Sequence, residues 1–156
     1  MRKNMIHKLK QVTYNLLLIF VCLCLFGPSL EAQTASPIGI WKTIDDGNGQ
    51  AKSHVEIYQQ GSKLYGKIVQ LLQKPADTRC DKCSGAEKDQ LVLGMVILKD
   101  MRTAGTSWKH GTILDPNSGS TYNCSIWFEN NNSTELKVRG KHWTGLYRTQ
   151  TWYRIK

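Results

Sequence analysis

W-K-H-G-T-I-L-D-P-N-S-G-S-T-Y-N-C, residues 108–124, is two alternating segments around a turn. Asp115-Pro116-Asn117-Ser118-Gly119 supplies what the turn needs. Pro presets φ at the second position, Asp and Asn bond their own backbone, and Gly takes φ > 0. Beyond it, Tyr122, Cys124, Ile126 and Phe128 share one face, and Thr121, Asn123, Ser125 and Glu129 the other, with Trp127 breaking the polar set. The stretch predicts a β-hairpin.

Outward from it, the same pattern recurs. Toward the N-terminus, Met101–Ser107 reads as a connection, and Leu91–Leu98 as a strand buried on both faces, too short for a helix. Residues 73–90 form a long polar interval holding Pro75, Cys80, Cys83 and Gly85; such segments are usually functional, cross-linked or mobile. Lys63–Val69 is a strand in which Gly66 suggests a bulge or tight bend, paired across Gly61-Ser62 with Ser53–Tyr58. In the latter Val55 and Ile57 point inward, His54 and Glu56 outward. Asp45–Gly49 is a turn lacking the alternate acids and distal Glu of an EF-hand, and Gly39–Ile44 is a first strand. Toward the C-terminus, Asn130–Ser133 turns the chain, Glu135–Gly140 alternates with Leu136 and Val138 inward, and a last strand starts at Gly145 and runs to Ile155. No segment sustains a 3.6-residue apolar period. About eight strands at hairpin spacing predict an all-β fold, a single up-and-down antiparallel barrel that closes its own edges.

Residues 1–32 read as a cleaved signal peptide. Arg2, Lys3, Lys8 and Lys10 precede the apolar run Leu16–Phe26, which is shorter than the roughly 20 residues of a membrane span. Pro28-Ser29 breaks the run, and Ala32 is a small residue at the cleavage point. Cys22 and Cys24 follow Val21 and Leu23, not the small residues of a lipoprotein site. The mature domain is then 33–156, exported to the periplasm or outside the cell, with no transmembrane span. The full chain carries 21 basic and 12 acidic residues; without the four basic residues and one acid of 1–32, the remainder is 17 against 11, net +6. The excess is scattered and fits anionic lipid, polysaccharide or acidic protein as well as plain solvation. No nucleic-acid motif is present, and no oligomer is assigned.

Gly39-x-Trp41 on the first strand, with Arg148 or Arg154 on the last, resembles the lipocalin arrangement, in which a Trp near the barrel floor is covered by an Arg from the chain's end. Arg154 is the expected partner because it comes later in the strand. A longer series also runs in order through the mature chain: G-I-W-K-T-I-D-D, V-E-I-Y, K-L-Y-G-K-I, C-D-K-C-S-G, the hairpin above, L-K-V-R-G and T-Q-T-W. It resembles the family called domain of unknown function 2147, exported bacterial proteins with a lipocalin-like barrel. The resemblance spans about Pro37 to Lys156 and implies fold, export and bacterial origin, but no reaction.

Cys80-Asp81-Lys82-Cys83 is the sharpest local motif. In an oxidising compartment a disulfide restraining the long interval is expected. A redox pair would need a helix N-terminus; zinc would need four ligands, a set that Cys124 and His54, His110 or His142 could complete, but none of these has the paired spacing of a zinc motif. Cys124 is expected to face inward as a small hydrophobe, although pairing with Cys80 or Cys83 stays open. Asp115 is assigned to turn chemistry over catalysis. No catalytic motif, metal site or cofactor is assigned. Aromatic residues lie on nearly every strand, so an eight-stranded barrel here is either filled or open to one small ligand. Candidate ligand contacts in the interior and rim are Tyr58, Tyr65, Trp108, Tyr122 and Arg139; Arg139 points from the wall, either to an anionic ligand or to solvent. The expected function is a non-catalytic barrel holding a small apolar or amphipathic molecule, such as a lipid-derived one. The alternatives are a filled barrel acting through its surface in the cell envelope and, behind it, an enzyme.

Overall fold

Each strand of this chain bonds to the strands before and after it in sequence, and the first also bonds to the last, so the sheet has no edge. The computed structural model describes residues 35–130 and 132–156; the expected signal peptide lies outside the described residues. The strands are β1 Gly39–Ile44, β2 Ala51–Gln60, β3 Lys63–Leu71, β4 Val96–Ala104, β5 Ser107–Asp115, β6 Ser120–Phe128, β7 Glu135–Lys141 and β8 Tyr147–Arg154, with one 3-10 turn at Gly85–Glu87. All pair antiparallel, forming a closed eight-stranded up-and-down barrel.

Side-chain parity builds the interior. Trp41 and Thr43 on β1, Ser53, Val55 and Ile57 on β2, Leu136 and Val138 on β7, and Trp152 on β8 are all buried. The inward set is not uniform along the barrel axis. Trp41, Phe128 and Trp108 fill one end, with ring centroids 6.0 Å and 6.1 Å apart. Thr43, Ser53 and Gly140 occupy equivalent inward positions toward the other end, where strand ends meet the 72–95 connection. Large residues plug one end and small ones leave the other open.

Closure is made by the β1–β8 pair. Trp41 lies opposite Arg154, and Lys42 opposite Tyr153. Ile40 N–H donates to the Lys156 carbonyl at 2.8 Å, and Ile155 N–H to the Ile40 carbonyl at 2.8 Å. Gly39 belongs here because a Cβ would lie 2.2 Å from the Lys156 oxygen.

Two expectations are corrected at β4. The strand is Val96–Ala104, not Leu91–Leu98, and residues 101–104, read as connection, are strand. The cause is Gly94, at φ 87, whose N–H bonds the Ile68 carbonyl at 2.8 Å while Val92 N–H bonds that of Thr78 at 2.9 Å. Residues 91–95 are thereby spent on anchoring the 72–95 segment. The return to β5 is a two-residue turn at Gly105-Thr106. Likewise β8 begins at Tyr147, because Gly145 and Leu146 belong to a turn closed by His142 N–H donating to the Leu146 carbonyl at 2.7 Å.

β4 and β5 each carry a left-handed residue, Asp100 at φ 58 and His110 at φ 62. Such positions bend strands around a barrel. Asp100 accepts hydrogen bonds from Lys63 Nζ at 2.6 Å and Tyr65 Oη at 2.9 Å, and the Lys63 contact foremost holds its carboxyl below the usual range. Register against β3 shifts at Gly66, where a bulge or bend is expected from the sequence.

The 72–95 segment forms a strap. Arg79 bridges Leu91, Cys80 N–H donates to the Gln90 carbonyl at 2.9 Å, and a Lys99–Glu87 ion pair ties the strap to β4. Cys80 and Cys83 are disulfide-bonded and buried, while Cys124 is a buried free thiol inside the barrel. Burial pushes the Cys124 thiol up to about 12 from an ordinary 9.0. Its protonated form stabilises the fold fully below the unfolded-state value near 9.0, and that contribution is lost as pH rises toward 12. Alkylation of the native 33–156 protein near neutral pH should therefore leave Cys124 unmodified, while unfolding that protein exposes one reactive thiol, which intact mass counts. Replacing both Cys80 and Cys83 by Ser should cost at most about 2 kcal/mol, since so short a loop removes little unfolded-state entropy. A Cys124 labelled as fast in native as in urea-unfolded protein would contradict the burial.

Candidate functional site

The open end holds a cavity of about 690 Å³. Its lining comes from the β1, β3, β5 and β7 ends, the β2, β4, β6 and β8 beginnings, and the strap. The chemistry is graded with depth. Ile68, Ile97, Val138 and Trp152 make the apolar depth, and Leu71, Val92, Ile113 and Leu114 the apolar walls. Tyr122, Thr43 and Ser53 add polar atoms.

The two hydroxyls are linked at 2.8 Å, and Thr43 Oγ1 also donates to the Ser53 carbonyl at 3.3 Å. With Thr43 donating to that carbonyl, Ser53 donates to Thr43 and keeps lone pairs that can accept from a guest. A second polar line runs from depth to rim. Trp152 Nε1 donates to Gln150 Oε1 at 3.3 Å, Gln150 Nε2 to Asp46 Oδ2 at 2.5 Å, and Asp46 pairs with Arg148.

The rim is basic in effect. Lys52, Lys74, Arg79, Lys82 and Arg148 line the site against Asp45, Asp81 and Asp115, five cations to three carboxylates. Two of those carboxylates are engaged by turns. Asp45 accepts the Gly47 N–H at 2.8 Å, the main cause holding it below its ordinary range. Asp115 accepts the Asn117 N–H at 3.1 Å and the Ser118 hydroxyl at 3.2 Å, with Lys52 at 3.8 Å. Asp115 therefore does turn chemistry, while Lys82 makes no ion pair among the described residues.

The candidate contacts taken from sequence separate into three places. Tyr122 lines the cavity. Trp108 points inward but sits at the plugged end against Phe128. Tyr58 and Tyr65 do not face the interior; they lie opposite each other on the outer wall with rings 6.0 Å apart. The reason is parity: inward Val55 and Ile57 force Tyr58 out, and inward Leu64 and Ile68 force Tyr65 out. Arg139 is also outside, its guanidinium 4.8 Å from the Trp127 ring and 4.5 Å from Tyr147. Of the polar residues that do line the site, Thr43, Ser53 and Gln150 carried one sequence signal, small or polar side chains at inward parity, while the strap cations carried none.

At the plugged end the Arg154 guanidinium lies 4.2 Å over the Trp41 ring. It donates to the carbonyls of Ser36 at 2.6 Å, Ser133 at 2.8 Å and Ile38 at 3.0 Å. Trp41 Nε1 donates to the Pro37 carbonyl at 2.7 Å, so the ring is fully satisfied and fully buried.

Residues 39–154 match a family model described as "Uncharacterized protein conserved in bacteria (DUF2147)". Among solved structures, the chain is similar to "Protein HP1028 from the human pathogen Helicobacter pylori belongs to the lipocalin family". Identity is 20%, the match covers 79% of this chain and 85% of that one, and the TM-score is 0.67, a likeness of fold. No curated protein matches.

Proposed function

The chain belongs to the DUF2147 family of bacterial proteins, and we propose that it is an exported, non-catalytic barrel holding one small amphipathic molecule, apolar end inward and anionic end at the rim. The observation that carries this reading is the graded cavity. Its volume of about 690 Å³ falls within the roughly 300–1,000 Å³ of small-molecule sites, and its lining joins an apolar set, with Ile68, Ile97, Val138 and Trp152, to a charged set from strand ends, turns and the strap. An apolar guest gains from leaving water, while an acidic head meets a rim where Lys82 makes no ion pair among the described residues and turns engage Asp45 and Asp115. Export is supported by the basic-then-apolar start of the chain and by the Cys80–Cys83 disulfide, which suits an oxidising space.

Native mass spectrometry of protein taken from its own envelope tests both parts. The expected species starts near Gln33 and retains one small-molecule mass that organic solvent releases. Val138→Trp, which fills the cavity from its apolar depth, should abolish the retained mass at a stability cost of about 1–3 kcal/mol. An unchanged retained mass in folded Val138→Trp protein would place the guest elsewhere. A chain retaining Leu16–Phe26 would overturn the cleavage.

A further inference from the structure

The most exposed large apolar side chains of the described residues are clustered. Trp143 is 86% exposed, Leu146 75% and Tyr147 64%, all at the β7–β8 tip, whereas Ile38, Tyr153 and Ile155 at the plugged end reach only 40–43%. Leu146 and Tyr147 also line the cavity, so the tip stands at its mouth.

The tip is braced by its own bonds. His142 N–H bonds the Leu146 carbonyl at 2.7 Å, Gly145 N–H bonds the His142 carbonyl at 3.0 Å, and His142 Nδ1 meets Thr144 Oγ1 at 2.9 Å. Gly145 takes φ 94, which an L side chain adopts only with strain. Trp143 and Leu146 are thus presented to solvent by a defined turn.

Within the tip segment itself the charge has one sign. Residues 139–148 contain Arg139, Lys141 and Arg148 and no acid. Arg148 is engaged by Asp46, but Lys141 makes no ion pair among the described residues, and Arg139 lies against the Tyr147 ring. Exposed Trp, Tyr and Leu beside Lys and Arg match a bilayer interface, where amphipathic rings sit at headgroup depth and cations meet phosphate.

The geometry points to the β7–β8 tip as a docking element that sets the mouth of the barrel on an anionic phospholipid surface. Trp143 and Leu146 enter the headgroup layer, Tyr147 lies at its boundary, and Lys141 and Arg139 face lipid phosphates. Docking this way turns the cavity entrance toward the membrane, so a guest passes between bilayer and barrel with less exposure to water. The inference stands apart from the identity of the guest.

The test uses the mature chain and two vesicle types: equal parts phosphatidylglycerol and phosphatidylethanolamine, or phosphatidylcholine alone. Flotation should bring the protein up with the first and far less with the second. Brominated acyl chains should quench its tryptophan emission. Trp143→Ser/Leu146→Ser should weaken binding by at least about tenfold and remove most of the quenching. Lys141→Gln should weaken it by about fivefold at low salt. Both variants change exposed side chains and should melt like the parent. Retention of the small molecule by Trp143→Ser alone, a residue outside the cavity lining, would separate this surface from the cavity reading. Equal binding to both vesicle types, or parent-like vesicle binding by the folded double variant, would overturn the proposal. So would failure to bind either vesicle, and a need for Trp143 in capture of an envelope protein would then assign the tip to a protein partner.

Discussion

Trp41→Ala should destabilise the barrel by about 3–5 kcal/mol, the range for deleting a large buried aromatic side chain. The ring is fully buried, packs against Phe128 at 6.0 Å and donates to Pro37. Its removal opens a void where the barrel is plugged and β1 meets β8. For a domain of this size the melting temperature should drop by about 10–20 °C. Arg154→Ala should cost less, about 2 kcal/mol, because half-exposed charged hydrogen bonds are replaced by water. Burial disfavours the charged guanidinium, but three carbonyls and the ring face compensate it. The double variant should lose about 0.5–2 kcal/mol less than the sum, which is the coupling of a cation on a ring. Urea unfolding of the four proteins measures the cycle. Strict additivity would show that the guanidinium and the ring do not interact in solution.

The Trp41–Arg154 contact was legible through the resemblance to the lipocalin arrangement, with parity and closure choosing the residues. Gly39-x-Trp41 puts the ring inside, strand count makes β1 and β8 neighbours, and the late position of Arg154 places it at the same end. Hairpins were legible for a similar reason, since turn chemistry and alternation are local. Where the reading failed, a residue's type was weighed above its position. Tyr58 and Tyr65 are aromatic and suited to a ligand, yet inward Val55, Ile57, Leu64 and Ile68 had already set them outside. Leu91–Leu98 looked like strand because it is apolar, but Val92 and Met95 are buried as the foot of the strap. That foot depends on Gly94 bonding Ile68, a contact across more than twenty residues that no local pattern encodes.

The cavity was the least legible feature, because a volume is a small difference between barrel interior and summed side chains. A partial signal existed all the same. Along β1 the inward pair runs Trp41 then Thr43, along β2 Val55 then Ser53, and along β7 Val138 then Gly140. Each steps from larger to smaller toward the same end. Side-chain volumes compared at inward parity would have located the open end, though not the strap that covers part of it.

That strap is the subject of the second large effect. Gly119→Ala should destabilise the protein by about 2–5 kcal/mol, combining left-handed backbone strain with overpacking. Gly119 sits at φ 71, and a Cβ there would lie 1.9 Å from the Lys82 carbonyl oxygen and 2.8 Å from the Cys83 nitrogen. Both are backbone atoms, so neither can swing aside. Either the β5–β6 turn opens or the disulfide-bonded part of the strap lifts from the barrel. Lifting also breaks the Cys80 Sγ contact to the Pro116 carbonyl at 3.5 Å and the Lys74–Asn117 bond at 2.8 Å. Hydrogen exchange should then quicken at Cys80, Asp89 and Val92, whose amides bond within the strap, while β1 and β8 keep their protection. Gly105→Ala is the control. It shares the left-handed backbone, at φ 64, but a Cβ there meets nothing within 4 Å, so only strain of about 1–2 kcal/mol is expected. The excess cost of Gly119→Ala over Gly105→Ala isolates the seating of the strap, and a guest held beneath it should exchange faster in the first variant alone. Equal costs, with unchanged exchange at Cys80 and Val92, would mean that the strap does not rest on the hairpin turn and that nothing in the 115–119 turn governs access to the cavity.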